Sequence, residues 1–331
     1  MGQTRLIPLP EYARRTGIPL STLRLHIREG RLQAVRLGRY WYIPLEEDAN
    51  LEGKGRVFTL FTHAGGAGKT SLARDLGFEL ASRGYRVLLI DADPQANLTA
   101  WLGVDPSEVE DRDTLLAVVE GKGLPEPRRV EVAGIPLDLL PANVNLAMAE
   151  VVIPTKSLGM VLLRTALVES GGLGRYDFLL IDSPPSLGPI AGMAALAGEG
   201  LLVPVETSAK GVQALRTVVE VSKDYLRTLR ALRFLTAEVV SFLRLLIPTK
   251  YDGRTAQDKK VRALLAEAAS IAPLAPALSY RPGPYKEAID RALPVHAVGD
   301  ERLLEEIRGL ADAFLARIGV GEGGPEAAEV V

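Results

Sequence analysis

The stretch FTLFTHAGGAGKTS, residues 58–71, decides how this 331-residue chain is read. A phosphate-binding loop follows the pattern G-x-x-x-x-G-K-[S/T]. Gly68, Lys69 and Thr70 supply its end, but His63 stands where the first glycine belongs. The context supports the loop all the same. Upstream, RVFTLFTH (56–63) is a β-branched and aromatic run, the mark of a buried strand. Downstream, SLARDLGFELASRG puts Leu72, Leu76 and Leu80 on one side of an amphipathic helix, with Gly84 past its end. In such a strand–turn–helix unit, Gly65, Gly66 and Gly68, with Ala67 among them, let backbone N–H groups approach phosphate. The helix N-terminus adds positive potential. Lys69 would reach the outer phosphates and Thr70 would hold Mg²⁺.

Two further segments extend the pattern. In YRVLLIDADPQANLT (85–99), Val87 to Ile90 form an apolar strand, and Asp91 and Asp93 emerge at its C-terminal end. That end is where α/β sheets bind ligands. In YDFLLIDSPPSLG (176–188), Phe178 to Ile181 form another strand, ended by Asp182. An apolar strand ending in aspartate is a Walker-B arrangement, its carboxylate serving Mg²⁺ directly or through water. One such aspartate could be a simple strand cap. The ordered set, after a phosphate loop, points to a nucleotide phosphate chain held with Mg²⁺. The expected body is α/β, a mostly parallel P-loop NTPase sheet flanked by helices.

Composition narrows the chemistry. The chain has no cysteine, which excludes disulfides, thiol catalysis and cysteine-held metals. Its histidines, His26, His63 and His296, lie far apart, against a zinc site. No run of eighteen apolar residues and no signal-like opening occurs, so a cytoplasmic location is the expected default. The net charge of −2 hides an asymmetry. Residues 1–44 hold eight arginines against two glutamates, a local +6 that leaves −8 on the rest. A basic head on an acidic body points to an anionic partner for the head.

That head divides into two short helical patterns and a wing. Pro10 and Glu11 suit a helix start, Gly17 breaks the helix, Ser21 is an N-cap and Gly30 a C-terminal stop. Arg24 and Arg28 share a face of the second helix, with Thr22 nearby. AVRLGRYWYIP then alternates as strand–turn–strand about Leu37 and Gly38, carrying Arg36 and Arg39. A helix–turn–helix with a basic wing reads DNA, the helix in the major groove and the wing on backbone or minor groove. The alternative is a helical hairpin with a solvated arginine face. Through YARRTGIPLSTLRLHIREGRL and RLGRYWYIP the head resembles the winged helix–turn–helix domains of MerR and excisionase type.

From Arg56 to Ile318 the body resembles the ParA/MinD family of P-loop ATPases, ParA branch. The resemblance is carried by DADPQANLT, IDSPPSLG, LLVPVET and IPTKYDGRTAQDKKV. The family loop is K-G-G-x-G-K-[S/T], which accounts for His63. It also exposes Ala64, which stands in the place of the family's signature lysine. In relatives that lysine crosses a dimer interface to the partner's nucleotide. Three outcomes stay open. Another cation, Lys210 or His63, replaces it; or ATP binds and the protein dimerises with slow hydrolysis; or the dimer is weak or absent. An engineered lysine-to-alanine change is a further alternative.

The resemblance implies roles. Asp93 orients or deprotonates the attacking water, Asp182 and Thr70 hold Mg²⁺ with Asp91 in its outer shell, and Ser71 touches the α-phosphate. Pro184 and Pro185 fix a switch loop. Arg254, with Lys259, Lys260 and Arg262 early on a following helix, corresponds to the region where ParA relatives bind DNA without sequence preference. An ordinary solvated helix face is the competing reading. LSYRPGPYKEAIDRALPVHAVGD (278–300) resembles a late family loop, in which Arg281 and Pro282 would line an adenine pocket. His296 reads as structural.

The domains expected are a winged helix–turn–helix at 1–45, a linker at 46–55, the ATPase at 56–318 and a disordered tail at 319–331. The tail lacks a basic amphipathic helix, against a membrane partner. The function expected is a slow DNA-partitioning ATPase that dimerises with ATP, binds DNA nonspecifically and is stimulated by a ParB-like partner. Its head would bind a specific operator or centromere site. The rivals are an ATP-sensing transcriptional regulator with little hydrolysis and a positioning ATPase for protein cargo.

Overall fold

In a computed structural model, the described residues are 4–9, 20–28, 34–37, 40–46, 55–236, 239–267 and 271–318. The chain divides into two compact units, 1–54 and 55–331.

In the smaller unit, β1 (Thr4–Pro8), β2 (Val35–Leu37) and β3 (Tyr40–Glu46) form an antiparallel sheet of order β1-β3-β2. Strands β2 and β3 pair with Leu37 opposite Tyr40, on either side of the expected turn, whose Gly38 lies outside the described residues. The β1 strand goes beyond the sequence reading, whose first pattern begins at Pro10. Strand β3 includes Glu46, so pairing reaches the position where the linker was expected to begin. Helix Leu20–Arg28 matches the expected second helix and carries Thr22. The expected first helix and Arg39 lie outside the described residues, as does the tail.

The larger unit is built on seven strands: β4 (Arg56–Leu60), β5 (Val87–Asp91), β6 (Arg128–Val132), β7 (Ile135–Leu140), β8 (Phe178–Asp182), β9 (Gly200–Glu206) and β10 (Leu243–Thr249). They form one sheet of order β10-β9-β4-β8-β5-β7-β6. Every pairing is parallel except β6 with β7. Strands buried on both faces read as continuous apolar runs, and VLLID and FLLID are buried at every residue. Helices Lys69–Ser82 and Glu301–Ile318 cover one face through a core that includes Phe58, Phe178 and Phe314. Helices Leu162–Glu169 and Pro189–Ala197 cover the other. The 23-residue helix Ala209–Ala231 packs along β9.

Three expectations for this unit change. The first strand stops at Leu60, not His63. Phe61 still donates its N–H to Leu202, but the next carbonyl, of Thr62, accepts from Lys69 and leaves the sheet. The helix after the loop is buried on nearly every side, because the sheet and the Glu301–Ile318 helix enclose it. Its Arg74 and Asp75 are fully buried as an ion pair of 2.8 Å. The late segment expected as a loop contains helix Pro282–Asp290, which opens with proline in its first turn.

Candidate nucleotide site

The loop joins the C-terminal end of β4, a central strand, to helix Lys69–Ser82. Gly66 and Gly68 have φ of +74° and +98°, the left-handed region that favours glycine. A methyl carbon on Gly65 would meet nothing within 4 Å, so this part of the loop faces open space. Gly68 is the N-cap of the helix and no side chain caps it, which leaves first-turn N–H groups available to an anion. From β10, the Thr249 hydroxyl donates to the Ala67 carbonyl at 3.0 Å and pins the loop.

Lys69 is buried, and its ammonium donates to the Thr62 carbonyl at 3.0 Å. Burial lowers its pKa, while Asp182 and Asp93 pull it upward. Asp182 ends β8, in register with Asp91 at the end of β5. Asp182 is wholly buried, and neither carboxylate oxygen has a well-formed hydrogen bond. Burial and the neighbouring Asp91 raise its pKa well above the ordinary carboxyl value, opposed by the Thr70 hydroxyl and Lys69. That hydroxyl lies near enough to matter electrostatically but outside good bonding geometry.

Asp91 is held differently. Its Oδ2 accepts from the Thr99 hydroxyl at 2.7 Å and the Thr99 N–H at 2.9 Å, and its Oδ1 from the Asp93 N–H at 3.1 Å. Burial nonetheless raises its pKa to about 6. Thr99 also accepts from Ala142 N, tying the end of β5 to the segment after β7. Asp91 therefore fixes the 91–99 loop, and Asp93 at the edge of the site is positioned through it.

Among the described residues, no three acidic or histidine side chains converge on one point as a metal cage. The orphaned Asp182 oxygens beside Thr70 fit a different arrangement: Mg²⁺ is typically held by one or two carboxylates completed by waters and substrate phosphates. The residues present fit that ion on those terms.

A cavity of about 200 Å³ adjoins the loop. Its walls include Gly68, Ser71, Arg281, Pro282, Tyr285 and Lys250. Fold topology thus brings the 278–285 segment, remote in sequence, against the glycine loop. Arg281 is not free there; its guanidinium pairs with Asp300. His296 sits in the structural place expected of it, 2.7 Å from Glu79.

Ala64 is buried in a small apolar cluster with Ala67 and Ala214, the last on helix Ala209–Ala231. Of the two cations suggested to replace a lysine there, Lys210 is exposed on that helix, and His63 is half-buried with Nδ1 unpartnered. Sequence reasoning missed Lys250. Its ammonium stands 3.7 Å from where a methyl carbon on Gly66 would be, and 3.2 Å from the Glu206 carboxylate. The signal available was its place directly after an apolar strand, in IPTKYDGR.

The proposed DNA contacts are dispersed. Lys259, Lys260 and Arg262 are exposed on helix Ala256–Glu267, with Arg262 over the Tyr251 ring at 5.3 Å. Arg254 is exposed and paired to Asp252 at 2.7 Å. In the smaller unit Arg24 and Arg28 are exposed, and Arg36 lies on β2.

Comparison with known proteins concerns the chain as a whole. The family model described as AAA domain matches residues 55–231. A probable plasmid-partitioning protein ParA of Thermus thermophilus is 52% identical over 318 residues, 96% of this chain and 95% of that protein. Among solved structures, apo McdA of Cyanothece superposes with a TM-score of 0.66 at 26% identity, covering 78% of this chain and 98% of that one. Cobyrinic acid a,c-diamide synthase of Mycobacterium smegmatis, with bound ADP and magnesium, gives 0.60 at 28%, covering 82% and 98%.

Proposed function

This chain belongs to the ParA/MinD-type P-loop ATPases, and from that premise we propose that it is a DNA-partitioning ATPase working with ATP and Mg²⁺. The observation that carries the reading is the buried, unpartnered Asp182 carboxylate beside Thr70 and Lys69, at the end of a glycine loop open to solvent. The 52% identical plasmid-partitioning relative supports the choice of partition within the family.

In this reading Gly65, Gly66, Ala67 and Gly68 offer backbone N–H groups to the phosphates. Lys69 leaves the Thr62 carbonyl for the outer phosphates, and Ser71 contacts the α-phosphate. Thr70 and Asp182 hold Mg²⁺, with Asp91 behind them. Bound Mg²⁺ supplies positive charge to phosphate oxygens on which negative charge develops. Asp93, fixed through Asp91 and Thr99, orients the attacking water or takes its proton. Arg281 and Pro282 border the base.

The remaining parts follow the same cycle. ATP promotes a homodimer. Val144, Met148 and Val151 are exposed beside the 183–188 switch segment, where Glu150 lies against Gly188, an apolar strip suited to a protein partner. Arg254, Lys259, Lys260 and Arg262 bind DNA nonspecifically. A ParB-like protein stimulates hydrolysis, and the N-terminal unit, as a winged helix–turn–helix, recognises an operator or centromere through Thr22, Arg24, Arg28, Arg36 and Arg39. Such a protein works in the cytoplasm on the nucleoid; among the described residues no helix is long and apolar enough to cross a membrane.

The test is ATP turnover with Mg²⁺, with and without random-sequence DNA, beside binding of that DNA with and without ATP. ATP-dependent DNA binding and measurable turnover are expected. DNA binding indifferent to ATP would overturn the partition reading. Ala64 favours one alternative, an ATP-sensing regulator with little hydrolysis, because a buried methyl group stands where relatives carry the lysine. Turnover that appears only in Ala64→Lys would select that alternative.

A further inference from the structure

The C-terminal ends of β9 and β10 lie beside the glycine loop because the sheet order is β10-β9-β4. Each strand ends in a charged side chain or carries one just beyond its end: Glu206 closes β9 and Lys250 follows β10. They pair at 3.2 Å. The backbone of Lys250 is unusual, with φ of +55°, the left-handed region that non-glycine residues seldom occupy. It is held there from several sides. The Thr207 N–H donates to the Thr249 carbonyl, the Thr207 hydroxyl reaches the Lys250 carbonyl at 3.2 Å, and Tyr251 N–H donates to Leu278. Strained backbone of this kind persists where the surroundings over-determine it, and it concentrates at ligand sites. The result is an ammonium aimed over Gly66, 3.7 Å from the place of its missing Cβ.

The charge pattern around the loop makes this placement informative. Ala64 offers only a methyl group, packed against Ala67 and Ala214. Arg281, another cation on the cavity wall, is committed to Asp300. Lys69 is buried below the loop. Lys250 is a cation on the open side, and both it and its counter-ion Glu206 are partly exposed. Exposed ion pairs of this kind are worth little, so a polyanion can replace the carboxylate.

We infer that Lys250 is a phosphate-binding residue that takes the place of the missing lysine at Ala64 from within the same chain, its ammonium moving from Glu206 to the phosphate chain of a nucleotide lying over Gly66. This rests on the nucleotide reading above and adds to it a residue and an exchange of partners. Glu206 holds the ammonium at the mouth of the site before nucleotide arrives. It also competes with the phosphates for that ammonium.

Calorimetric titration of the full-length protein with Mg-ATP and with adenosine tests the inference, using wild type, Lys250→Met, Lys250→Arg and Glu206→Gln. Lys250→Met should weaken ATP binding by roughly tenfold or more, the scale of one charge-assisted hydrogen bond, and leave adenosine unchanged. Lys250→Arg should stay near wild type, and Glu206→Gln should bind ATP more tightly. Equal ATP affinity in wild type and Lys250→Met would overturn the inference alone. So would an equal loss for ATP and adenosine in Lys250→Met, which marks a base contact or a distorted cavity. If wild type itself binds no ATP, the nucleotide reading fails and the inference falls with it.

Discussion

Asp182→Asn should make the protein more stable without ligand and deaf to Mg-ATP. In the structure the carboxylate is fully buried, lacks a well-formed hydrogen bond, and faces Asp91 and Asp93 as well as Lys69. A buried polar group left unsatisfied costs about 1–3 kcal/mol, more when charged. Asparagine removes the charge but leaves its own amide to be satisfied, so a net gain of about 1–2 kcal/mol is reasonable. In a large domain that corresponds to a rise of roughly 2–8 °C in melting temperature. The sign depends on pH. The folded-state pKa lies above the ordinary 3.8, so the penalty is absent in acid and grows as pH rises through the folded value. Thermal melts at pH 8 in EDTA therefore show the gain best. Adding Mg-ATP at about a hundred times its dissociation constant should stabilise wild type by ~2.7 kcal/mol and the variant by little. Two results refute the reasoning: a variant less stable than wild type in EDTA, or one that keeps the full Mg-ATP shift.

Asp75→Ala leaves the Arg74 guanidinium fully buried without its counter-ion and should cost about 3–5 kcal/mol in urea denaturation; a loss below about 1 kcal/mol would show that Trp101, beneath the guanidinium, suffices. Glu79 is pushed up by burial, but hydrogen bonds from His296 and Arg83 outweigh that and hold its pKa below 4.5. A depressed carboxyl stabilises above its unfolded pKa and loses that contribution as pH falls through the folded value. Urea midpoints of wild type should thus exceed those of Glu79→Gln at pH 7 and converge with them below about pH 4.5. Arg24→Ala and Arg28→Ala should each reduce the salt dependence of DNA binding by about one unit of log–log slope, read by fluorescence anisotropy; an unchanged slope would remove both from the interface.

The parts of the site legible in the sequence were those that lie next to one another in the chain. The loop with Lys69 and Thr70 is a single contiguous signal, and β5 and β8 announce themselves as apolar runs ending in Asp91 and Asp182. Parallel strands in a buried sheet must be apolar throughout, so their aspartates stand out at the ends. What the sequence left undetermined is what the side chains do once there. Asp91 and Asp182 close equivalent strands in register, yet Thr99 and the Asp93 amide satisfy the first while the second stays unpartnered. That difference comes from the 91–99 loop folding back on Asp91, which no local pattern encodes.

The same limit explains Lys250. As replacement cations the sequence suggests His63, inside the loop, and Lys210, just after the LLVPVET strand. Lys250 also lies in a recognisable motif, but nothing in that motif marks it. Its proximity to Gly66 depends on β10 taking the edge beside β9, and β9 lying beside β4. It depends equally on a left-handed backbone at a lysine, which nothing in IPTKYDGR foretells. Sheet order thus brings to the loop a charge that the short motif does not contain. In an open α/β sheet ligands bind outside the carboxyl ends of the strands that flank the crevice, so the ends of strands neighbouring the loop are where further charges at the site should first be sought.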